Sequence, residues 1–168
     1  LEMYHGLTSN LILVLLFVLI ILVIFGCSQR SLLYFPSNEI IDISNHNDTG
    51  LKEVELTTSD GLVLKSWFKE PNTPKGFTIL IFHGNAGHIG DRVEKFKRFI
   101  DAGHGLLFLE YRGYGGNPGK PTEKGLYSDA NAALNFLSKQ HIFSDKIILY
   151  GESLGCGIAA KLSSENTF

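Results

Sequence analysis

Residues 146–155 read Lys146-Ile147-Ile148-Leu149-Tyr150-Gly151-Glu152-Ser153-Leu154-Gly155, and this stretch decides the fold. Lys146 to Tyr150 is a short apolar strand. Ser153 to about Ser163 reads as the helix that follows it. G-x-S-x-G between a strand and a helix is the pattern of a nucleophilic serine on a strained turn. Gly151 and Gly155 let the strand and helix approach without Cβ clashes, and the turn projects the Ser153 hydroxyl out of the sheet.

Working back from the elbow, Phe77 to Phe82 (FTILIF) and Gly105 to Tyr111 (GLLFLEY) read as strands, the first buried on both faces. Asp91 to Ala102 has helical spacing, with Val93, Phe96 and Phe99-Ile100 on one side. Pro121-Thr122 opens a long helix with Leu126, Ala130, Ala133-Leu134 and Leu137 on its apolar stripe. Strands alternating with helices from residue 77 onward predict a parallel sheet covered on both faces. Before it, Leu51 to Thr57 and Leu62 to Phe68 form a hairpin about Ser59-Asp60-Gly61. The predicted organisation is a hydrophobic segment at 1–28, a connector at 29–50 and an α/β domain at 51–168.

Leu11 to Phe25 is an unbroken apolar run, LILVLLFVLIILVIF. With no polar face it does not suit a buried soluble helix. Its length lies between a signal-peptide core and a span of about 20 residues. An uncleaved single-span anchor is the favoured expectation. A cleaved signal peptide and a lipoprotein signal ending at Cys27 are the alternatives, and Phe25 is atypical of the latter. Arg30 after the run and Glu2 before it bias the C-terminal part to the cytoplasmic side, though the side of the membrane stays open. The expected partners therefore include a lipid bilayer.

A formal charge of −2, without a Lys/Arg cluster, argues against a nucleic-acid footprint. Cys27 and Cys156 are not expected to pair. His5, His46, His88, His104 and His141 lack paired ligand spacing, so neither metal nor cofactor is expected. The loop at 84–87 is no phosphate loop, since no Gly-Lys-Ser/Thr follows it.

An acyl-transfer reaction at Ser153 needs two N–H donors for its oxyanion. They are read as Leu154, after the nucleophile, and Asn85 or Ala86, in the loop His83-Gly84-Asn85-Ala86-Gly87 after FTILIF. His83 is expected to fix that loop by hydrogen bonding, with Gly84 beside it, and not to serve as base. Arg112 could pin the loop about Tyr111 and Tyr114. Glu110 reads as a structural acid at a strand end and Asp129 as an acid on a helix surface.

The chain resembles the alpha/beta-hydrolase superfamily, and within it the Bem46-like membrane-anchored serine hydrolases. The resemblance rests on Leu32-Leu33-Tyr34-Phe35-Pro36 after the hydrophobic segment, Asp60-Gly61-Leu62 with Trp67, and His83-Gly84-Asn85-Ala86. Tyr111-Arg112-Gly113-Tyr114-Gly115, Gly119, Pro121, Asp129-Ala130 and the elbow complete it. It implies hydrolysis of an acyl ester or thioester, with lipids or acylated proteins near a membrane as substrates. It also implies an Asp and then a His after the elbow. The last histidine here is His141, and Glu165 lies too close to Ser153 to act as the acid. The expectation is the N-terminal portion of such an enzyme, inactive alone, with the missing part either on a second polypeptide or simply not among these residues. A non-enzymatic remnant or membrane-bound interaction module is the alternative. Ile147 to Tyr150 is expected at an exposed sheet edge.

Overall fold

The computed structural model describes residues 2–37, 39, 40, 42–73 and 75–168; within the first helix, side chains are described at 12–26 and 33. The chain divides into two units, Leu1–Tyr34 and Phe35–Phe168.

The first unit is one helix, α1, Glu2–Leu33, which runs past the expected boundary at residue 28. Its apolar side chains from Ile12 to Phe25 are all exposed. Among the described residues no helix is long and apolar enough to cross a membrane. Side chains 12–26 cover about 22 Å of helix, at about 1.5 Å per residue. The Cys27 side chain lies outside the described residues.

The second unit is built on a five-stranded sheet. Its strands are β2 (Lys52–Thr57), β3 (Val63–Lys69), β4 (Thr78–Phe82), β6 (Gly105–Leu109) and β7 (Ile147–Gly151), in the order β2-β3-β6-β4-β7. The hairpin β2–β3 is antiparallel and joins β6 antiparallel, while β6, β4 and β7 run parallel. The hairpin turn closes with Gly61 at φ 86°, and Thr58 N–H donates to the Leu62 carbonyl at 2.9 Å. A second, two-residue parallel pairing joins β1 (Phe35–Pro36) to β5 (Ala86–Gly87), both of which read as loop in the sequence. Two residues are too few to show a period.

Helix α2 (Val93–Asp101) follows a short 3-10 turn, Ile89–Arg92, in which the Asp91 carboxylate accepts the His88 N–H. The helix therefore starts two residues later than its apolar spacing predicts. Val93, Phe96 and Ile100 are buried against Trp67, Ile79, Ile81, Leu106 and Phe108. Phe99, expected with them, is 37% exposed. Phe68 faces the other way, edge-on to Phe136 of α3 (Glu123–Lys139) at 5.1 Å. Thr122 caps α3 by accepting the Gly125 N–H at 3.0 Å. Helix α4 (Leu154–Glu165) packs beside α3 and over β7 and β4, and buries Gly155, Ile158 and Leu162.

Strands β4 and β6 are buried throughout, as a central parallel pair covered on both faces should be. β7 pairs only with β4 among the described residues, and Ile148 is 46% exposed. The elbow strand is thus a sheet edge.

One acid behind the sheet is fully buried. Asp129, expected on a helix surface, has no exposure and takes two bonds from Arg112, through its backbone N–H at 3.0 Å and its Nε at 2.8 Å. The aspartate faces inward because the Arg112 turn at the end of β6 brings a guanidinium to it. Arg112 also forks onto Asp60 of the hairpin turn at 2.7 and 2.9 Å. That fork holds the Asp60 carboxyl well below the usual range. Burial, the larger influence at Asp129, pushes its carboxyl up against the pull of Arg112. One arginine therefore ties the antiparallel hairpin to α3 and fixes the start of the Tyr111–Tyr114 loop.

Candidate active site

Ser153 sits between β7 and α4 with φ 50° and ψ −112°, one of two non-glycine residues with positive φ among the described residues. That conformation costs on the order of 1–3 kcal/mol and persists only where its surroundings impose it. Here Glu152 N–H donates to the Phe82 carbonyl at 2.9 Å, and Gly155 and Cys156 N–H donate to the Glu152 and Ser153 carbonyls at 2.8 and 3.0 Å. The flanking glycines are steric requirements. A Cβ on Gly151 would stand 2.6 Å from the backbone of Cys156, and one on Gly155 would land on the Phe82 carbonyl. Leu154 follows as the first residue of α4.

Ser153 itself is exposed. No described residue hydrogen-bonds its hydroxyl. Glu152 is clamped by Lys95 at 3.0 Å and Arg92 at 3.3 Å, and the Lys95 bond draws its carboxyl down from the usual range. Cys156 is exposed and its thiol faces the Gly151 carbonyl at 3.2 Å.

The loop after β4 runs alongside this turn. A Cβ built on Gly84 would lie 3.6 Å from the Ser153 Cβ, so elbow and loop are neighbours. His83 is buried, with Nδ1 at 2.7 Å from the Gly84 carbonyl, which assigns the proton to Nδ1. Its Nε2 stands 3.0 Å from Glu110 Oε1, near enough for an ion pair but off the line of a hydrogen bond. The other Glu110 oxygen accepts the Ile89 N–H at 2.9 Å. Glu110, which the sequence offers only as a strand-end acid, thus stands against both ends of the 83–89 loop.

Further contacts fix the same loop. Tyr111 hydroxyl donates to the His83 carbonyl at 3.0 Å, and burial keeps that phenol protonated far above its ordinary range. Tyr114 hydroxyl and Phe35 N–H both donate to the Asn85 carbonyl at 3.1 Å. Arg92 donates to the Ala86 and His88 carbonyls at 2.8 and 2.9 Å. Arg92 has no signal in the sequence, because its role appears only once α2 is folded beneath the loop.

A strained serine at a strand-to-helix elbow, on a parallel sheet fed by an antiparallel hairpin, is the arrangement of an α/β serine hydrolase. The family described as "Serine aminopeptidase, S33" matches residues 73–167. The chain belongs to this alpha/beta-hydrolase family, and its relatives there are Bem46-like.

Protein bem46 of Schizosaccharomyces pombe is 34% identical over 147 residues, covering 82% of this chain and 49% of that protein. An uncharacterized membrane protein of Saccharomyces cerevisiae is 37% identical over 130 residues, covering 72% and 45%. A Pyrococcus furiosus esterase shares the fold with TM-score 0.66 at 22% identity, covering 80% of this chain and 52% of that one. The chain spans about half the length of the curated relatives it matches.

Proposed function

We propose that this chain carries the nucleophile and the oxyanion-binding loop of a serine hydrolase acting on carboxylic esters or thioesters at a membrane. The observation that carries the reading is Ser153 at φ 50° and ψ −112°, an exposed residue beside the Gly84 loop. Strain of this kind collects at reacting residues. In this reading Ser153 Oγ attacks the acyl carbon, and the oxyanion is received by Leu154 N–H and by Asn85 or Ala86 N–H. Gly151 and Gly155 close the elbow, while His83 and Gly84 support the loop.

The base and its orienting carboxylate come from outside these 168 residues, on a polypeptide segment that covers the β7 edge. His83 is not that base. Its Nδ1 is committed to the Gly84 carbonyl and its Nε2 faces Glu110.

Acylation of Ser153 tests the nucleophile. At pH 9.5 hydroxide can take the serine proton, the acetyl group of p-nitrophenyl acetate moves to Oγ, and p-nitrophenolate leaves. Peptide mapping of the full chain in detergent should show Ser153 acetylated at least about tenfold faster than Ser163, an exposed serine on α4. Equal rates would remove Ser153 as a nucleophile.

The membrane part of the proposal rests on the exposed apolar side chains from Ile12 to Phe25. Their transfer from water is favourable at roughly 25 cal/mol per Å², and lipid is the cover that suits a helix apolar on every side. We propose a single-pass anchor. The full chain should float with phosphatidylcholine vesicles, and replacing Leu15, Leu19 and Leu22 by Asp should leave it at the bottom of the gradient. Each charge at mid-helix costs about 2.5–3.5 kcal/mol on insertion scales. Flotation of the triple variant would refute the anchor.

A further inference from the structure

We infer that Tyr114 is a positioning residue for the oxyanion donor at Ala86; the inference rests on the hydrolase reading above. In a trans peptide, the carbonyl of one residue and the N–H of the next point in opposite directions. Among the described residues there is no cis peptide. Whatever grips the Asn85 carbonyl therefore aims the Ala86 N–H.

Two donors grip it at 3.1 Å, Tyr114 hydroxyl and Phe35 N–H. They arrive from different places. Tyr114 comes from the loop after β6, where its ring is fully buried, 5.2 Å edge-on to His83 and 5.8 Å from Tyr111. Phe35 comes from β1, whose pairing with Ala86–Gly87 sets the loop in extended form. The preceding carbonyl, Gly84, faces His83 Nδ1 at 2.7 Å, and the following one, Ala86, accepts from Arg92 at 2.8 Å. Three successive carbonyls are thus held, and the N–H groups of Asn85, Ala86 and Gly87 are directed away from their holders.

Tyr114 is the member of this set whose hydroxyl can be removed without changing shape. The Tyr111-Arg112-Gly113-Tyr114 loop, which the sequence marks without explaining, acquires a role in aiming a backbone donor. Oxyanion donors lower the barrier only when aimed at the oxygen's transition-state position, and losing one costs about 100- to 1,000-fold. Loosening the aim while keeping the donor should cost less.

The test compares Tyr114→Phe with Tyr111→Phe in the full chain. Each loses a hydroxyl bond to a loop carbonyl, but only Tyr114 grips the Asn85–Ala86 peptide. The readout is the pH 9.5 acetylation rate of Ser153 relative to Ser163, over a range of ester concentrations, with the melting temperature measured alongside.

Tyr114→Phe should lower the ratio about tenfold, through the maximal rate and not the half-saturating ester concentration. Tyr111→Phe should stay within about twofold with a similar loss of melting temperature. An unchanged ratio in Tyr114→Phe, or equal falls in both variants, overturns the inference while the hydrolase reading stands. A wild-type Ser153 no faster than Ser163 overturns both.

Discussion

Gly155→Val should destabilise the domain severely. The Cβ of any side chain at Gly155 falls on the carbonyl of Phe82, with the His83 carbonyl 2.9 Å away. Both obstacles are backbone of β4 and of the candidate oxyanion loop, so no rotamer change relieves them. The helix would have to lift off the sheet, breaking the Glu152 N–H bond to Phe82 and uncovering Ile158 and Leu162. A loss of roughly 4 kcal/mol or more is expected, against a total stability of about 5–15 kcal/mol for an ordinary domain. Circular dichroism and thermal melting of the two proteins side by side measure it. A Gly155→Val chain that melts cooperatively within a few degrees of wild type would show that the helix does not approach β4 as described.

Multiple turnover of p-nitrophenyl acetate at pH 7.5 should run at least about 10,000-fold below that of a complete triad hydrolase. Ser153 has no described hydrogen-bond partner to take its proton, so with the proposed base outside these 168 residues its hydroxyl should react at neutral pH as an ordinary alcohol. Removing a base from a triad elsewhere leaves only the residual contribution of the oxyanion hole and binding. Initial rates for this chain and for a complete esterase of the same fold give the comparison directly.

The sheet was largely legible in the sequence, because β4 and β6 are continuous apolar runs and β7 stands between turn residues and a glycine-flanked serine. The order of strands along the chain and the hairpin followed from the same signals. What stayed hidden depends on contacts distant in sequence. Asp129 reads as a surface acid until α3 is set against the Arg112 turn. Glu110 gains its place only when the 83–89 loop folds over the end of β6. The pairing of Phe35–Pro36 with Ala86–Gly87 leaves no periodic trace in either segment.

Within the candidate site, the strained serine and its two glycines could be read directly, since steric demand writes itself as glycine. Arg92 and Tyr114 could not. They hold backbone carbonyls, a task that any donor of suitable length can perform and that therefore leaves no particular residue type as a signal.

Labelling by a fluorophosphonate tests the central claim most directly. The phosphonyl group forms a bond to Ser153 Oγ as fluoride leaves, and at neutral pH the step needs a base beside the serine. Labelling of Ser153 in the full chain alone at pH 7.5 should be at least about 10,000-fold slower than that of the nucleophile of a complete triad hydrolase. Rapid labelling of Ser153 by the chain alone would contradict the account.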